Sequence, residues 1–406
     1  MITIQDIYNH ILPTKISFED FQTKVTTRKR YLVDREFYKE YADTSIKDYL
    51  LRNGRCKEDE VGDYLKKVYD FFFVDGSTEY FIKQWFENNV EITSVKKYLF
   101  YKVKNVFIGK DMIDGRYNIK YSRLAKNLNL FDFYGTTKYD KETGRPFFDL
   151  LEKINDMYYI PEFFTPSVFD IILRKDYSTF MAYMRGTTST PTVFNPHLFS
   201  FILTYIMKGQ KLFTPVLAWN AYQHAFYNTN YEEYVGTDVI PNLVSNSKYL
   251  HDLYCKTFFA QKKSVRVYNC PSEKLAERHN FSEEYREYFD TILFSPPYYN
   301  LEIYPGDEQS TNMYPNYATW LKEYWEKTLQ LCYNVLQNNG TFSFVISNYR
   351  NKKTQEDFNV SDDMKEIAKK YFKEYQSYKI SWINFETRTV SKNEEGNFEN
   401  LFIFKK

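Results

Sequence analysis

From about residue 166 onward, short apolar runs alternate with helical stretches, and this alternation constrains the fold more than any other feature of the chain. An apolar run at 212–217 (LFTPVL) precedes a helical stretch at 221–228. A second run, at 234–239 (YVGTDV), precedes a helical stretch at 242–254, and further runs follow at 265–268, 291–294 and 341–346. Between the last two an amphipathic helix is expected over 317–336, with Leu321, Tyr324, Trp325, Leu329, Cys332 and Leu336 on one face and Asn338-Asn339-Gly340 as its stop. Runs at 380–385 and 400–404 close the chain. Such alternation builds a mostly parallel α/β sheet with crossover helices, and the closing pair fits an antiparallel edge.

The first 165 residues read differently, as mainly helical and rich in mixed charge and aromatic rings. At 63–73 (DYLKKVYDFFF), for example, Tyr64, Leu65, Val68 and Phe72 recur at helical spacing. The expected organisation is a helical accessory domain at 1–165 followed by an α/β domain at 166–406.

The totals narrow the class. No run of about 18 apolar residues offers a transmembrane helix, and the first residues lack the layout of a signal peptide. The 4 cysteines are scattered without a CxxC pair, and the 5 histidines show no metal-ligand spacing. A reducing, cytoplasmic setting is expected, with no membrane partner and no metal. The 39 tyrosines and 36 phenylalanines fit either the codon bias of an AT-rich genome or a surface that stacks on bases.

Open α/β sheets bind ligands where their strands end. Asp238 ends the second strand; an acidic residue there either accepts hydrogen bonds from a nucleoside ribose or caps the next helix. The third strand ends at Asn269-Cys270-Pro271, where Ser272 and Glu273 open a helix. The fourth ends abruptly at Ser295-Pro296-Pro297-Tyr298, because two consecutive prolines have no ladder N–H to donate.

Ser295-Pro296-Pro297-Tyr298 resembles the (D/N/S)-P-P-(Y/F/W) motif of S-adenosylmethionine-dependent methyltransferases that act on exocyclic amino groups of bases. The likeness extends through 295–325 (SPPYYNLEIYPGDEQSTNMYPNYATWLKEYW), 336–348 (LQNNGTFSFVISN) and 399–406 (ENLFIFKK). Upstream, Phe194-Asn195-Pro196 and the helix HLFSFILTYIM resemble the helix that touches the methionine end of the cofactor. The resemblance implies a Rossmann-like methyltransferase sheet and S-adenosyl-L-methionine as cofactor. It implies Ser295 and Pro296 as acceptors for the target amine, Pro297 as the lock on their geometry and Tyr298 as the ring that stacks on a flipped base. Asn195, Pro196, Thr214, Pro215, Ala218, Asp238 and Cys270 would then line the cofactor. The family's cofactor loop reads D-P-x-x-G-x-G; this chain reads FTPVLAWNAY, with Thr214-Pro215 in place of Asp-Pro, and Ala218 and Asn220 in place of glycines.

The implied function is methylation of N4 of cytosine or N6 of adenine in double-stranded DNA by base flipping. A phage or prophage origin and a restriction-modification role go with that reading. Its alternative is a catalytically silent methyltransferase-like subunit that binds nucleic acid or supports an active partner. The catalytic part leaves no room for a large recognition insert between cofactor loop and motif. Target contacts are therefore expected from 1–165 and from the loop at 300–318. The lysine- and aromatic-rich stretch at 96–110 (KKYLFYKVKNVFIGK) suits phosphate contact with stacking, or else is a solvated face.

Overall fold

The computed structural model describes residues 1–11, 16–27, 46–52, 54, 56–74, 77–101, 106–115, 121–136, 148, 166–176, 179, 191–257, 263–302, 304, 306–350, 356–382 and 398–406. Contacts divide the chain into two units, Met1–Glu91 with Thr137–Thr190, and Ile92–Thr136 with Pro191–Lys406. The single border expected at 165/166 is therefore not where the contacts divide: residues 92–136 pack with the sheet.

The first unit is helical, as its spacing predicts. Helices Ile4–Ile11, Phe18–Thr27, Ile46–Arg52, Val61–Tyr69, Ser77–Asn89 and Pro166–Leu173 are described. Tyr64, Leu65 and Val68 are buried as expected; the side chain of Phe72 lies outside the described residues. The chain widens to a π-turn over Asp70–Val74, and this wider winding carries Phe71 and Phe73 into the core.

The second unit is a nine-stranded sheet. Its strands are β1 (Val106–Ile108), β2 (Met112–Gly115), β3 (Lys211–Thr214), β4 (Glu233–Asp238), β5 (Ser264–Asn269), β6 (Phe289–Phe294), β7 (Leu336–Ile346), β10 (Lys373–Trp382) and β11 (Phe398–Lys405). A separate two-stranded ribbon is made by β8 (Tyr349–Arg350) and β9 (Asp357–Phe358). The sheet order is β1-β2-β10-β11-β7-β6-β3-β4-β5. Strands β5, β4, β3, β6 and β7 run parallel, and β11 is antiparallel to both β7 and β10. The expected Rossmann-like sheet with an antiparallel C-terminal edge is thus the observed one. The order reverses between β3 and β6, which is where such sheets open a ligand crevice.

Three differences from the sequence reading have local causes. β3 stops at Thr214 because Pro215 cannot continue the ladder. β10 begins at Lys373, earlier than the run at 380–385, whose last residues lie outside the described ones. β1 and β2 come from a region read as helical; β2 pairs in parallel with β10 through Met112↔Lys379 and Ile113↔Ile380.

Helices fill both the crossovers and the rim. Pro241–Thr257 joins β4 to β5. A continuous helical run from Tyr317 to Val335, π-wound over Leu321–Glu326, joins β6 to β7 and buries Tyr324, Trp325, Leu329 and Cys332. No described helix is long and apolar enough to cross a membrane.

Candidate active site at the carboxyl edge of the sheet

The ladder register brings Thr214, Asp238, Asn269 and Ser295 to one edge. Thr214 lies opposite Gly236 and Asp238 opposite Asn269, while Phe213 pairs with Ile292 three residues before Ser295. Two turns face this edge, one after β3 and one after β6.

The turn after β3 holds a glycine conformation without glycine. Ala218, Trp219 and Asn220 take φ of 46°, 60° and 61° in succession. Each sits in the left-handed region, which costs a non-glycine residue about 1–2 kcal/mol. Neighbours supply the compensation. Asn129 Nδ2 donates to the Trp219 carbonyl at 2.9 Å and to Asn220 Oδ1 at 3.0 Å. Asn220 Nδ2 donates to the Leu243 carbonyl at 2.9 Å, and Asn246 Nδ2 donates to Asn129 Oδ1 at 2.9 Å. Phe133 meets the Trp219 ring edge-on at 5.2 Å. Asn129 and Phe133 both belong to 92–136, which explains why that segment packs with the sheet.

Asp238 fastens the same turn. Its Oδ2 accepts the Leu217 N–H at 3.0 Å and its Oδ1 accepts the Ile240 N–H at 3.1 Å. Burial pushes its carboxyl up to about 6, against the pull of these amides. The aspartate thus ties the turn after β3 to the residues leading into the helix Pro241–Thr257, and its carboxylate still has lone-pair capacity for a further donor. Thr214, by contrast, turns its hydroxyl to Tyr234 Oη at 2.7 Å inside the core. Gly236 makes room here, since a Cβ would lie 2.6 Å from Leu217 Cδ2. The buried Cys270 donates its N–H to the Asp238 carbonyl at 3.1 Å, and burial pushes its thiol up to about 11. Asn195 caps the helix Pro196–Phe201 by accepting the His197 N–H at 2.9 Å, with Pro196 in the first turn.

The turn after β6 is made rigid by its own prolines. The Ser295 N–H is held by Tyr222 Oη at 2.7 Å. The Tyr298 carbonyl accepts the Leu301 N–H at 3.0 Å, and Tyr298 Oη donates to Glu399 Oε1 at 3.0 Å. Burial and the Glu399 carboxylate hold the Tyr298 hydroxyl well above its ordinary range. Among the described residues, neither Ser295 Oγ nor the Pro296 carbonyl has a hydrogen-bond partner. Tyr299 follows at φ 48°, packed among Tyr317, Trp320 and Phe358.

Sequence reasoning passed over two residues here and gave two others only structural roles. Tyr222 and Asn129 act across long sequence separations and left no local pattern. Glu273 and Tyr324 are the others: among the described residues, Glu273 Oε1 and Tyr324 Oη are buried without a partner. Burial raises the Glu273 carboxyl to about 7. Tyr324 is pushed well up by burial first, then by the fields of Glu273, Cys332, Asp238 and Tyr222. The unpaired Glu273 oxygen would have required knowing what faces it.

The rings of Tyr98, Phe100 and Tyr101 in the lysine-rich stretch are engaged internally. Tyr101 stacks on Tyr121 at 4.2 Å and Phe100 packs on Tyr254 at 5.3 Å, while the Tyr98 carbonyl takes His224 Nε2 at 2.6 Å. Lys96, Lys97 and Lys110 are exposed; residues 102–105 lie outside the described ones. No group of three His, Cys, Asp or Glu among the described residues could hold a metal.

No family model and no curated protein sequence matches the chain. Among solved structures it is similar to the N-methyltransferase NodS from Bradyrhizobium japonicum WM9 in complex with S-adenosyl-L-homocysteine. That match has 11% identity and a TM-score of 0.32, covering 52% of this chain and 84% of that one. TrmN from Thermus thermophilus matches at 11% identity and a TM-score of 0.35, covering 53% of this chain and 50% of that one. The 1,6-didemethyltoxoflavin-N1-methyltransferase of Burkholderia thailandensis matches at 12% identity and a TM-score of 0.32, covering 60% and 90%. Likenesses this slight carry no weight for function; the fold class rests on the strand order itself.

Proposed function

We propose that the sheet unit is an S-adenosylmethionine-dependent methyltransferase acting on an exocyclic amino nitrogen of a flipped base, N4 of cytosine or N6 of adenine, in double-stranded DNA. One observation carries this reading: Ser295 Oγ and the Pro296 carbonyl, two acceptors without partners among the described residues, stand side by side in sequence on a turn anchored at its amide and locked at two φ angles. An exocyclic amine is a poor nucleophile because its lone pair is delocalised into the ring. Two fixed acceptors for its N–H groups draw the nitrogen toward tetrahedral character and aim that lone pair. This is preorganisation and needs no titrating base. Tyr298 offers a ring face for the extruded base, and its bond to Glu399 fixes the ring's direction.

The residues at the edge fit the cofactor. Asp238 keeps lone-pair capacity for ribose hydroxyls, and the buried Glu273 Oε1 and Tyr324 Oη have no partner among the described residues. When bound, the cofactor supplies a methyl group on a positively charged sulfur. The left-handed turn at 218–220 takes, without glycine, the backbone conformation that a glycine-rich loop would take.

A second reading is favoured by the sequence of that turn: a silent subunit that props up an active partner. Mass spectrometry of nucleosides from cells expressing the wild type or Ser295→Ala separates the two. The enzyme reading expects N4-methylcytosine or N6-methyladenine in DNA with the wild type and a loss of at least tenfold in the variant. Unmodified DNA in both contradicts it; a methylated base found in RNA alone would move the substrate.

A further inference from the structure

The two turns at the carboxyl edge are joined by one hydroxyl. Tyr222 lies on the helix Ala221–Phe226, which begins where the turn after β3 ends. Its side chain is fully buried and stacks on Phe199 at 4.2 Å with an interplanar angle of 18°, and Phe194 meets it at 5.8 Å. Phe194 and Phe199 flank the Asn195 cap, so the ring is gripped by the helix at Pro196–Phe201. Its Oη then reaches β6 and takes the Ser295 N–H at 2.7 Å. Burial keeps the phenol neutral throughout the physiological range.

We infer that Tyr222 is a positioning residue for Ser295, setting where the serine's unpartnered hydroxyl and the adjoining Pro296 carbonyl stand relative to the turn after β3. The inference rests on the methyltransferase reading for its catalytic consequence, but the contact itself does not. Pro296 and Pro297 have no N–H, so the Ser295 amide is the last ladder-side donor before Tyr298. Nothing else among the described residues holds that amide. Without the phenol oxygen the turn keeps its prolines and loses its origin.

The reaction needs two acceptors at fixed geometry, so an error in where the turn starts falls on the rate more than on affinity. A second buried tyrosine provides the control. Tyr231 Oη pairs with Thr291 Oγ1 at 2.9 Å, also on β6 but away from the turn. Tyr222→Phe and Tyr231→Phe each remove one buried hydroxyl and keep the ring.

The test uses the full chain and both variants. Hydrogen exchange is followed over 293–300, where the Ser295 amide should exchange at least tenfold faster in Tyr222→Phe and at the wild-type rate in Tyr231→Phe. Methyl transfer to DNA should lose at least tenfold in kcat in Tyr222→Phe, with S-adenosylmethionine Kd within threefold, while Tyr231→Phe keeps its kcat at a similar loss of Tm. Equal kcat losses in the two variants, or unchanged Ser295 exchange in Tyr222→Phe, overturn the inference. If the wild type transfers no methyl group, the functional reading fails, and the exchange experiment still decides whether Tyr222 positions Ser295.

Discussion

The turns after β3 and after β6 reach the same edge by opposite means. After β6, rigidity is covalent: Pro296 and Pro297 fix their own φ angles, and one hydrogen bond from Tyr222 anchors the start. After β3, rigidity is borrowed: three left-handed residues are held by Asn129, Asn246, Asp238 and Phe133, two of which come from a segment far earlier in the chain. A glycine-rich loop would reach that shape freely. Here the shape survives because tertiary bonds offset the local cost. A turn of the first kind is written where it stands; a turn of the second kind is written elsewhere.

The largest test of this contrast removes the borrowed support. A chain starting at residue 166 lacks β1, β2 and Asn129, and so leaves β10 with a bare edge and the 218–220 turn without its donors. It is expected to show no cooperative thermal transition by circular dichroism. A folded fragment that binds cofactor like the full chain would break the comparison.

Asn129→Ala is the single-residue version. Two buried acceptors lose their donor, at ~1–3 kcal/mol each, so urea unfolding should report a loss of roughly 2–6 kcal/mol. Ser295→Ala should cost less than ~0.5 kcal/mol, because its hydroxyl holds nothing among the described residues.

The two sides should also differ in their response to pH. The Asp238 side carries carboxyls raised by burial, Glu273 to about 7 and Asp238 to about 6. A raised carboxyl favours the folded state while it is protonated, below its unfolded pKa, and that contribution is lost as pH climbs through the folded value. Stability should therefore fall between about pH 4.5 and 7, by on the order of 3 kcal/mol from Glu273. Glu273→Gln should flatten that slope in chemical denaturation run across the range. An unchanged slope would mean that the carboxyl is solvated.

The smallest effect is Ala218→Gly. Relief of one left-handed alanine should raise stability by about 1 kcal/mol, read as a rise in Tm. A drop would show that the methyl group packs usefully at φ 46°.

What the chain disclosed in advance follows the same division. β4, β6, β7 and β11 were legible because buried strands leave contiguous apolar runs, β5 because its valines and tyrosine recur between turn residues although the strand lies at the sheet edge, and the Ser295–Tyr298 turn because prolines act on their own backbone. Asp238 was legible in place, at a strand end, although its bonds to Leu217 and Ile240 were not. β1 and β2 escaped because VFI and MIDG are too short to carry a period, and they become strands by pairing on β10. Asn129 and Tyr222 escaped because a buried amide or phenol has no pattern until its partner is beside it. Thr214 matched the family's aspartate by position, yet its hydroxyl is turned to Tyr234.

The central claim is that these two turns form one site, with the cofactor on the Asp238 side and the target amine on the Ser295 side. Calorimetric titration of S-adenosylmethionine into the full chain, Asp238→Ala and Ser295→Ala tests it most directly. The account predicts one-to-one binding to the wild type, a loss of about 1–3 kcal/mol in Asp238→Ala, and unchanged affinity in Ser295→Ala. No heat with the wild type, or equal losses in both variants, would contradict it.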